Sequence, residues 1–121
     1  MKKKLPIQEK RGDGAYRIKN KKLGLIYVCF SDHGQQRMKE RGVEVLDFLM
    51  TLTKASAEIA ACRDDGDVLL VDTKKNMSII LSVSKTEKDI HYFNVITVLS
   101  EIPIDEEGQL KFYNINHFIH V

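Results

Sequence analysis

The chain has few of the features that mark secreted, membrane-spanning or unstructured proteins. It contains no tryptophan, two prolines and two cysteines in 121 residues. With so little proline and 43% hydrophobic residues, we do not expect disorder over most of the length. Cys29 and Cys62 match no metal or redox spacing and are too few for a disulfide scaffold. We therefore expect both thiols to be reduced and buried, in a cytoplasmic protein.

Long apolar runs are also absent. The opening "MKKKLPIQEK" is basic like the start of a signal peptide, but no apolar segment follows it. No run approaches the ~18 apolar residues of a transmembrane helix. We expect neither a signal peptide nor a membrane partner.

Metal-binding patterns are sparse. His117 and His120, in "HFIH", are three residues apart, so in a strand they point to opposite faces and cannot share one ion. The acidic turns "RDDGD" and "IDEEG" lack the length and ligand order of a calcium loop. The sequence predicts no metal and no cofactor.

Charge is distributed unevenly along the chain. Residues 1–22 hold nine lysines or arginines against two acidic residues, whereas the remainder holds ten against fifteen. A basic arm on a slightly acidic body favours a polyanionic partner such as RNA, with Lys3 and Lys4 as candidate substrate-binding residues. The alternative interpretation is a solubility tail.

Turn and charge signals divide the chain into three regions. Residues 1–14 are predicted to be a basic flexible arm, 15–100 an α+β domain and 101–121 a C-terminal extension. Within the extension, residues 109–121 contain an extended segment typical of a sheet edge or a homodimer contact.

Inside the domain, helix signals come before most strand signals. A first helix begins at Ser31 or Asp32 and ends near Gly42, and a second, amphipathic helix spans roughly 43–54. Later apolar segments alternate with short turns, which predicts an antiparallel meander. Its strands would be "SAEIAAC", "VLLVDT", "MSIILSVS" and "IHYFNVITVLS". We expect an α+β fold with two N-terminal helices packed on an antiparallel sheet of four to five strands.

The first helix has almost nothing to bury except Met38. His33, Arg37 and Arg41 follow the spacing i, i+4, i+8 and fall within an arc of about 80° on one helix face. One imidazole and two guanidiniums on one stripe favour an anion there, such as an RNA phosphate. A plain solvated helix face is the alternative.

The last long strand carries a hydroxyl among apolar residues. Strict alternation over 91–99 places Thr97 on one face with Phe93, Val95 and Leu99, and Tyr92 on the other. If the first face lies under the helices, Thr97 needs a hydrogen-bond partner there. Backbone or water could also satisfy it.

Two motifs, "DHGQQRMKERGV" and "VITVLS", give the sequence a family resemblance. Over about residues 30–100 it resembles the small RelE-related families of the barnase–EndoU–colicin–RelE group of ribonucleases. By position the resemblance nominates three catalytic residues, His33, Arg37 and Thr97, and two substrate-binding residues, Arg41 and Tyr92. Gly34 stands where the related helices carry alanine, and the extension 101–121 passes the usual end of the fold.

The resemblance implies a toxin-like hydrolase that cleaves RNA without metal. The ribose 2′-OH would attack the adjacent phosphate, with His33 as general base or acid and arginine stabilising the transition-state charge. Expected partners are RNA, such as tRNA or ribosome-bound mRNA, and a cognate inhibitor protein. The small size suggests a phage or mobile-element origin. A non-catalytic RNA- or protein-binding module on the same fold, or an interaction protein that dimerises through its tail, are the rival interpretations.

Overall fold

A computed structural model of the protein describes residues 7–11, 15–62, 66–87, 90–103, 106–109 and 115–121. Its elements, in chain order, are β1 (Ile7–Arg11), β2 (Ala15–Asn20), β3 (Gly24–Cys29), α1 (Asp32–Glu40), α2 (Val45–Lys54), α3 (Ser56–Ala60), β4 (Asp67–Asp72), β5 (Met77–Glu87), β6 (Ile90–Leu99) and β7 (His117–His120). None of the helices in these ranges is long and apolar enough to cross a membrane.

The described strands form one mixed sheet of seven, in the order β1-β2-β3-β6-β5-β4-β7. Neighbouring strands are antiparallel except for two parallel pairs, β3 with β6 and β4 with β7. Parallel neighbours need a long crossover connection. Between β3 and β6 the chain supplies it as three helices followed by the β4–β5 hairpin.

The predicted architecture of two N-terminal helices on an antiparallel sheet of four to five strands is wrong. Three strands precede α1, a third helix follows α2, and the sheet is mixed. The segment "SAEIAAC", predicted as a strand, contains α3. Alanine is the strongest helix former, and the Ile59 N–H donates to the Ala55 carbonyl at 2.9 Å, so the chain turns helical again directly after α2. The edge strands β1 and β7 come from the predicted arm and extension.

The local predictions for α1 are confirmed at both ends. The Ser31 hydroxyl accepts a hydrogen bond from the Gly34 N–H at 3.0 Å and caps the helix. Beyond the last turn, Gly42 adopts φ 71°, and the Val43 N–H donates to the Met38 carbonyl at 3.0 Å. This Schellman arrangement stops the helix where glycine permits a left-handed conformation.

The helices cover one face of the sheet and form the main core with it. Phe48, Leu49 and Leu52 of α2 are buried there, so the prediction that this amphipathic helix packs on the sheet is confirmed. The first turn of α2 does not join the core, since Val45 is 38% and Leu46 49% exposed.

A second, smaller cluster lies on the opposite face of the sheet, at its β4–β5 end. Leu69, Val71, Ile80 and Leu99 are buried in it, and Ile102 and Ile115 from the C-terminal extension pack against them. β4 and β5 are therefore covered on both faces, because residues of the extension pack on the side that the helices leave open.

Candidate functional site

The helix α1 presents the predicted stripe, but its three members do not face the same surroundings. His33 and Arg37 are exposed, whereas Arg41, at the C-cap, is half-buried. Met38 is the buried residue of this helix, at 2% exposure, and anchors it on the core.

His33 and Arg37 are bonded to each other. The Nε–H of Arg37 donates to Nε2 of His33 at 3.2 Å, across one helical turn. With Nε2 as the acceptor, a neutral His33 carries its proton on Nδ1. Among the described residues Arg37 makes no ion pair with an acid, so its terminal nitrogens remain turned to solvent on an exposed helix.

Arg41 binds the sheet instead. Its Nη1 donates to the Thr97 hydroxyl at 3.1 Å and to the Val98 carbonyl at 2.7 Å. The parallel pairing of β3 with β6 ends at Cys29 and Asn94, so β3 does not pair with the last residues of β6. Arg41 donates hydrogen bonds to β6 in the stretch that β3 leaves unpaired. A hydrogen bond from a charged donor is stronger than one from a neutral donor.

A β-bulge at Ile96 decides which face each residue of β6 occupies. The register with β5 shifts by one residue there, and Ile96 is left 52% exposed. Phe93 and Val95 lie in the helix-side core, but Leu99 belongs to the cluster on the opposite face. The alternation that grouped Leu99 with Phe93 is therefore wrong beyond Val95, although Thr97 does have a hydrogen-bond partner from the helix layer.

The four residues at the centre of the prediction thus form two pairs. His33 is bonded to Arg37, and Thr97 to Arg41. Arg41 is eight positions beyond His33 along the helix, a rise of about 12 Å. The hydrogen bonds connect Thr97 to a structural contact rather than to the exposed imidazole.

Tyr92 belongs to a different surface. Its ring stacks on Tyr27, with centroids 5.5 Å apart and planes 17° apart, because the two residues are register partners in the parallel β3–β6 pair. Arg17 is the antiparallel partner of Tyr27 on β2. Lys3 and Lys4 lie outside the described residues.

We name the side of the sheet away from the helices, at its β2–β3–β6 end, the open face; it includes Arg17, Lys19, Tyr27, Tyr92 and Asn94, with the half-buried register partners Leu25 and Ile90 beside them. Sequence reasoning missed it. Alternation in β2 and β3 could have placed its members outward, opposite the buried isoleucines of both strands. The pairing of β3 with β6, which joins the tyrosines, has no local sequence signal.

The remaining candidates are more dispersed. His120 is exposed on β7, with its ring 4.9 Å from that of Phe118. Among the described residues no three histidine, cysteine, aspartate or glutamate side chains cluster as metal ligands would.

A groove of about 650 Å³ lies beside Met38 and Val43, on the side of α1 away from His33.

Two polar groups are held inside the fold. The hydroxyl of Thr51 donates to the Asp72 carboxylate at 2.9 Å, and both residues are at most 2% exposed. Tyr16 stacks on Phe30, and burial raises the pKa of its phenol above the ordinary value. Cys29 and Cys62 form no disulfide, as predicted; Cys62 is buried, but the prediction that Cys29 is buried is wrong, because it is only half-buried.

Comparison with family models, curated proteins and solved structures found no match to this chain. The resemblance to RelE-related ribonucleases therefore stays a prediction from the α1 and β6 motifs.

Proposed function

We propose that the protein is a metal-independent endoribonuclease of the RelE-related, toxin-like kind, in which His33 and Arg37 form the working pair. The observation that carries the proposal is the 3.2 Å hydrogen bond between Arg37 Nε and His33 Nε2 on an exposed helix. A base and a phosphate-binding cation are thereby held side by side where an RNA strand can reach them.

In the proposed reaction an RNA phosphate takes the Arg37 guanidinium as its partner, because a guanidinium matches phosphate oxygens with two parallel bonds. The exchange releases Nε2 of His33, which accepts the proton of the neighbouring ribose 2′-OH. The 2′-oxygen forms a bond to phosphorus as the bond from phosphorus to the 5′-oxygen breaks. That oxygen takes a proton from water, giving a 2′,3′-cyclic phosphate and a 5′-OH.

Arg41 and Thr97 have a supporting role in this proposal. Arg41 Nη1 joins α1 to β6 by donating to the Thr97 hydroxyl at 3.1 Å and to the Val98 carbonyl at 2.7 Å. These hydrogen bonds hold the helix that carries His33 at a fixed position on the sheet, which is what a preorganised catalytic group requires.

The test is cleavage of RNA by the purified chain in EDTA, with analysis of the product ends. We expect His33→Ala to lower the rate ~10²–10⁴-fold, the span of one general base. His120→Ala, another exposed histidine, is the matched control and should leave the rate unchanged. Arg37→Gln should slow cleavage, whereas Lys39→Gln, on the same exposed helix, should not.

RNA that stays intact after long incubation in EDTA and in Mg²⁺, with ribosomes present, would refute the proposal. So would equal activity of the His33 and His120 variants. Cyclic phosphate ends are required as well, because any other product end excludes attack by the 2′-OH.

A second candidate is a non-catalytic module that binds RNA or a protein. The specific observation in its favour is that Arg37 already occupies the lone pair of His33 that a general base would use. Binding without cleavage, unaffected by His33→Ala, would favour this candidate.

The proposed setting follows from the proposed reaction. A ribonuclease of this kind acts on cytoplasmic RNA, such as tRNA or ribosome-bound mRNA, and needs a cognate inhibitor in the cell that makes it. The free thiols fit a reducing compartment. Dimerisation through residues 109–121, of which 109 and 115–121 are described, also stays a prediction.

A further inference from the structure

The open face has three properties of a surface that binds single-stranded nucleic acid: paired aromatic rings, cations that form no ion pair with any described residue, and polar groups. We propose that it binds a segment of single-stranded RNA, with a base stacked on the Tyr27–Tyr92 pair and a phosphate beside Arg17. The inference extends the proposed function by naming a second contact for the same RNA. It does not depend on cleavage, because the open face and His33 lie on different layers of the fold.

The aromatic platform is the first support. Tyr27 and Tyr92 are both half-buried, and their rings are within 17° of parallel. A base can stack on the outer side of such a pair, since every base has a π-face. Flat β-sheet surfaces that carry aromatic side chains recognise unpaired bases in this way.

Positive charge is the second observation that supports the proposal, and it favours RNA as the ligand of the open face. Arg17 is the register partner of Tyr27, Lys19 is exposed two residues further along β2, and Lys21 and Lys22 are exposed in the turn that follows. Among the described residues nothing accepts a hydrogen bond from Nε of Arg17, although that atom is shielded from solvent. A phosphate that bonds the guanidinium would compensate this partly buried charge.

Polar groups continue the row on the next strand. The Asn94 amide donates to the Ser84 hydroxyl at 3.2 Å, and Ser84 is the register partner of Tyr92. Two described acids bound the surface on this side: Glu87 on β5 is the register partner of Ile90, and Asp67 on β4 lies two strands beyond Asn94 in the sheet order. An acidic peptide without aromatic residues would also be attracted by the lysines, but it would not stack on the rings as a base does.

The test measures binding of the full chain to a short 2′-O-methyl oligouridylate labelled with fluorescein, read by anisotropy in EDTA. The methylated sugar cannot be cleaved through its 2′ position, so binding is measured apart from cleavage. The chain has four tyrosines and no tryptophan, so quenching of tyrosine emission by a stacked base gives a second readout.

We expect Tyr92→Leu to weaken binding by about 5- to 150-fold, which corresponds to the loss of one stacked base. Tyr92→Phe retains the ring and should bind like the wild type. Phe118→Leu removes another half-exposed aromatic side chain, at the opposite edge of the sheet, and should have no effect. Arg17→Gln should weaken binding and reduce the salt slope by about 0.7, as for one phosphate contact, whereas Lys54→Gln on α2 should not.

Equal affinities for wild type, Tyr92→Leu and Phe118→Leu would overturn the inference. So would equal affinity for single-stranded and duplex probes, because a paired base cannot stack on the rings. Polyglutamate that binds with the same dependence on Tyr92 would assign the surface to an acidic protein instead. RNA that binds through Tyr92 but is not cleaved would refute the proposed ribonuclease alone, and cleavage with unaffected Tyr92→Leu binding would refute this inference alone.

Discussion

The substitution Arg41→Ala separates a structural from a functional role on the helix α1. It removes two hydrogen bonds that one guanidinium nitrogen makes to β6, at 3.1 Å to Thr97 and 2.7 Å to the Val98 carbonyl. A hydrogen bond to a charged group contributes about 1.5–3 kcal/mol. Because both bonds share one nitrogen and Arg41 is only half-buried, we expect a loss of about 2 kcal/mol in the free energy of unfolding.

The matched control is Arg37→Ala, which removes the same side chain from an exposed position one turn earlier. It should change stability by less than about 1 kcal/mol. Urea unfolding followed by circular dichroism measures the free energy of unfolding of both variants. In a thermal melt, the melting temperature of the Arg41 variant should be ~8 °C lower than that of the wild type, for a chain of this size. Thr97→Val in a double-mutant cycle should show coupling of about 0.5–3 kcal/mol with Arg41 and none with Arg37.

Equal stability of the two arginine variants would refute this reasoning. Arg41 would then be a free surface cation, available to RNA as the family resemblance suggested. Loss of RNA cleavage in Arg41→Ala without loss of stability would lead to the same conclusion.

Three further predictions test the core and its buried polar groups. In urea unfolding, Leu52→Ala should cost ~2–5 kcal/mol because Leu52 is fully buried, whereas Leu46→Ala, at 49% exposure, should cost under ~1 kcal/mol. Thr51→Val should lose about 1–3 kcal/mol, since the Asp72 carboxylate loses a buried donor; unchanged stability would mean that water replaces the hydroxyl. The raised pKa of Tyr16 favours its neutral form in the folded state, so its contribution is complete below about pH 10 and falls as the pH rises further. Tyr16→Phe should therefore lessen alkaline destabilisation in melts above that pH.

Local signals in the sequence predicted most individual elements. The Asn20 side chain accepts hydrogen bonds from the N–H groups of Lys22 and Leu23, at 2.9 Å each, and forms the turn between β2 and β3, a position where asparagine is typical. The meander β4–β5–β6 and both ends of α1 follow from equally local chemistry. These local signals carry no information about which strands distant in sequence pair with each other. Both parallel pairs, β3–β6 and β4–β7, join such distant strands.

The same limit explains the error in sheet size. β1 is an edge strand of five residues in a lysine-rich stretch, which has little hydrophobic alternation and is recognisable as a strand only beside β2. β7, of four residues, lies in the segment 109–121 that is predicted to be extended and typical of a sheet edge, but its parallel pairing with β4 has no local signal. The bulge at Ile96 is similar, since an extra residue in one strand is defined by the register of its partner.

The fate of the α1 stripe, in contrast, could have been derived from the sequence. At about 100° per residue, Arg41 lies about 60° around the helix from Met38, Arg37 about 100° and His33 about 140°. Met38 is the one strongly apolar residue on α1, so it had to face the core, and the angle from it orders the three side chains by depth. Arg41 should then turn toward the sheet and His33 away from it, which is the arrangement that the hydrogen bonds to β6 and the exposure of His33 display. The access of a helix residue to a ligand therefore has to be judged by its angle around the helix from the residue that anchors the helix, because equal spacing along the chain does not give equal access.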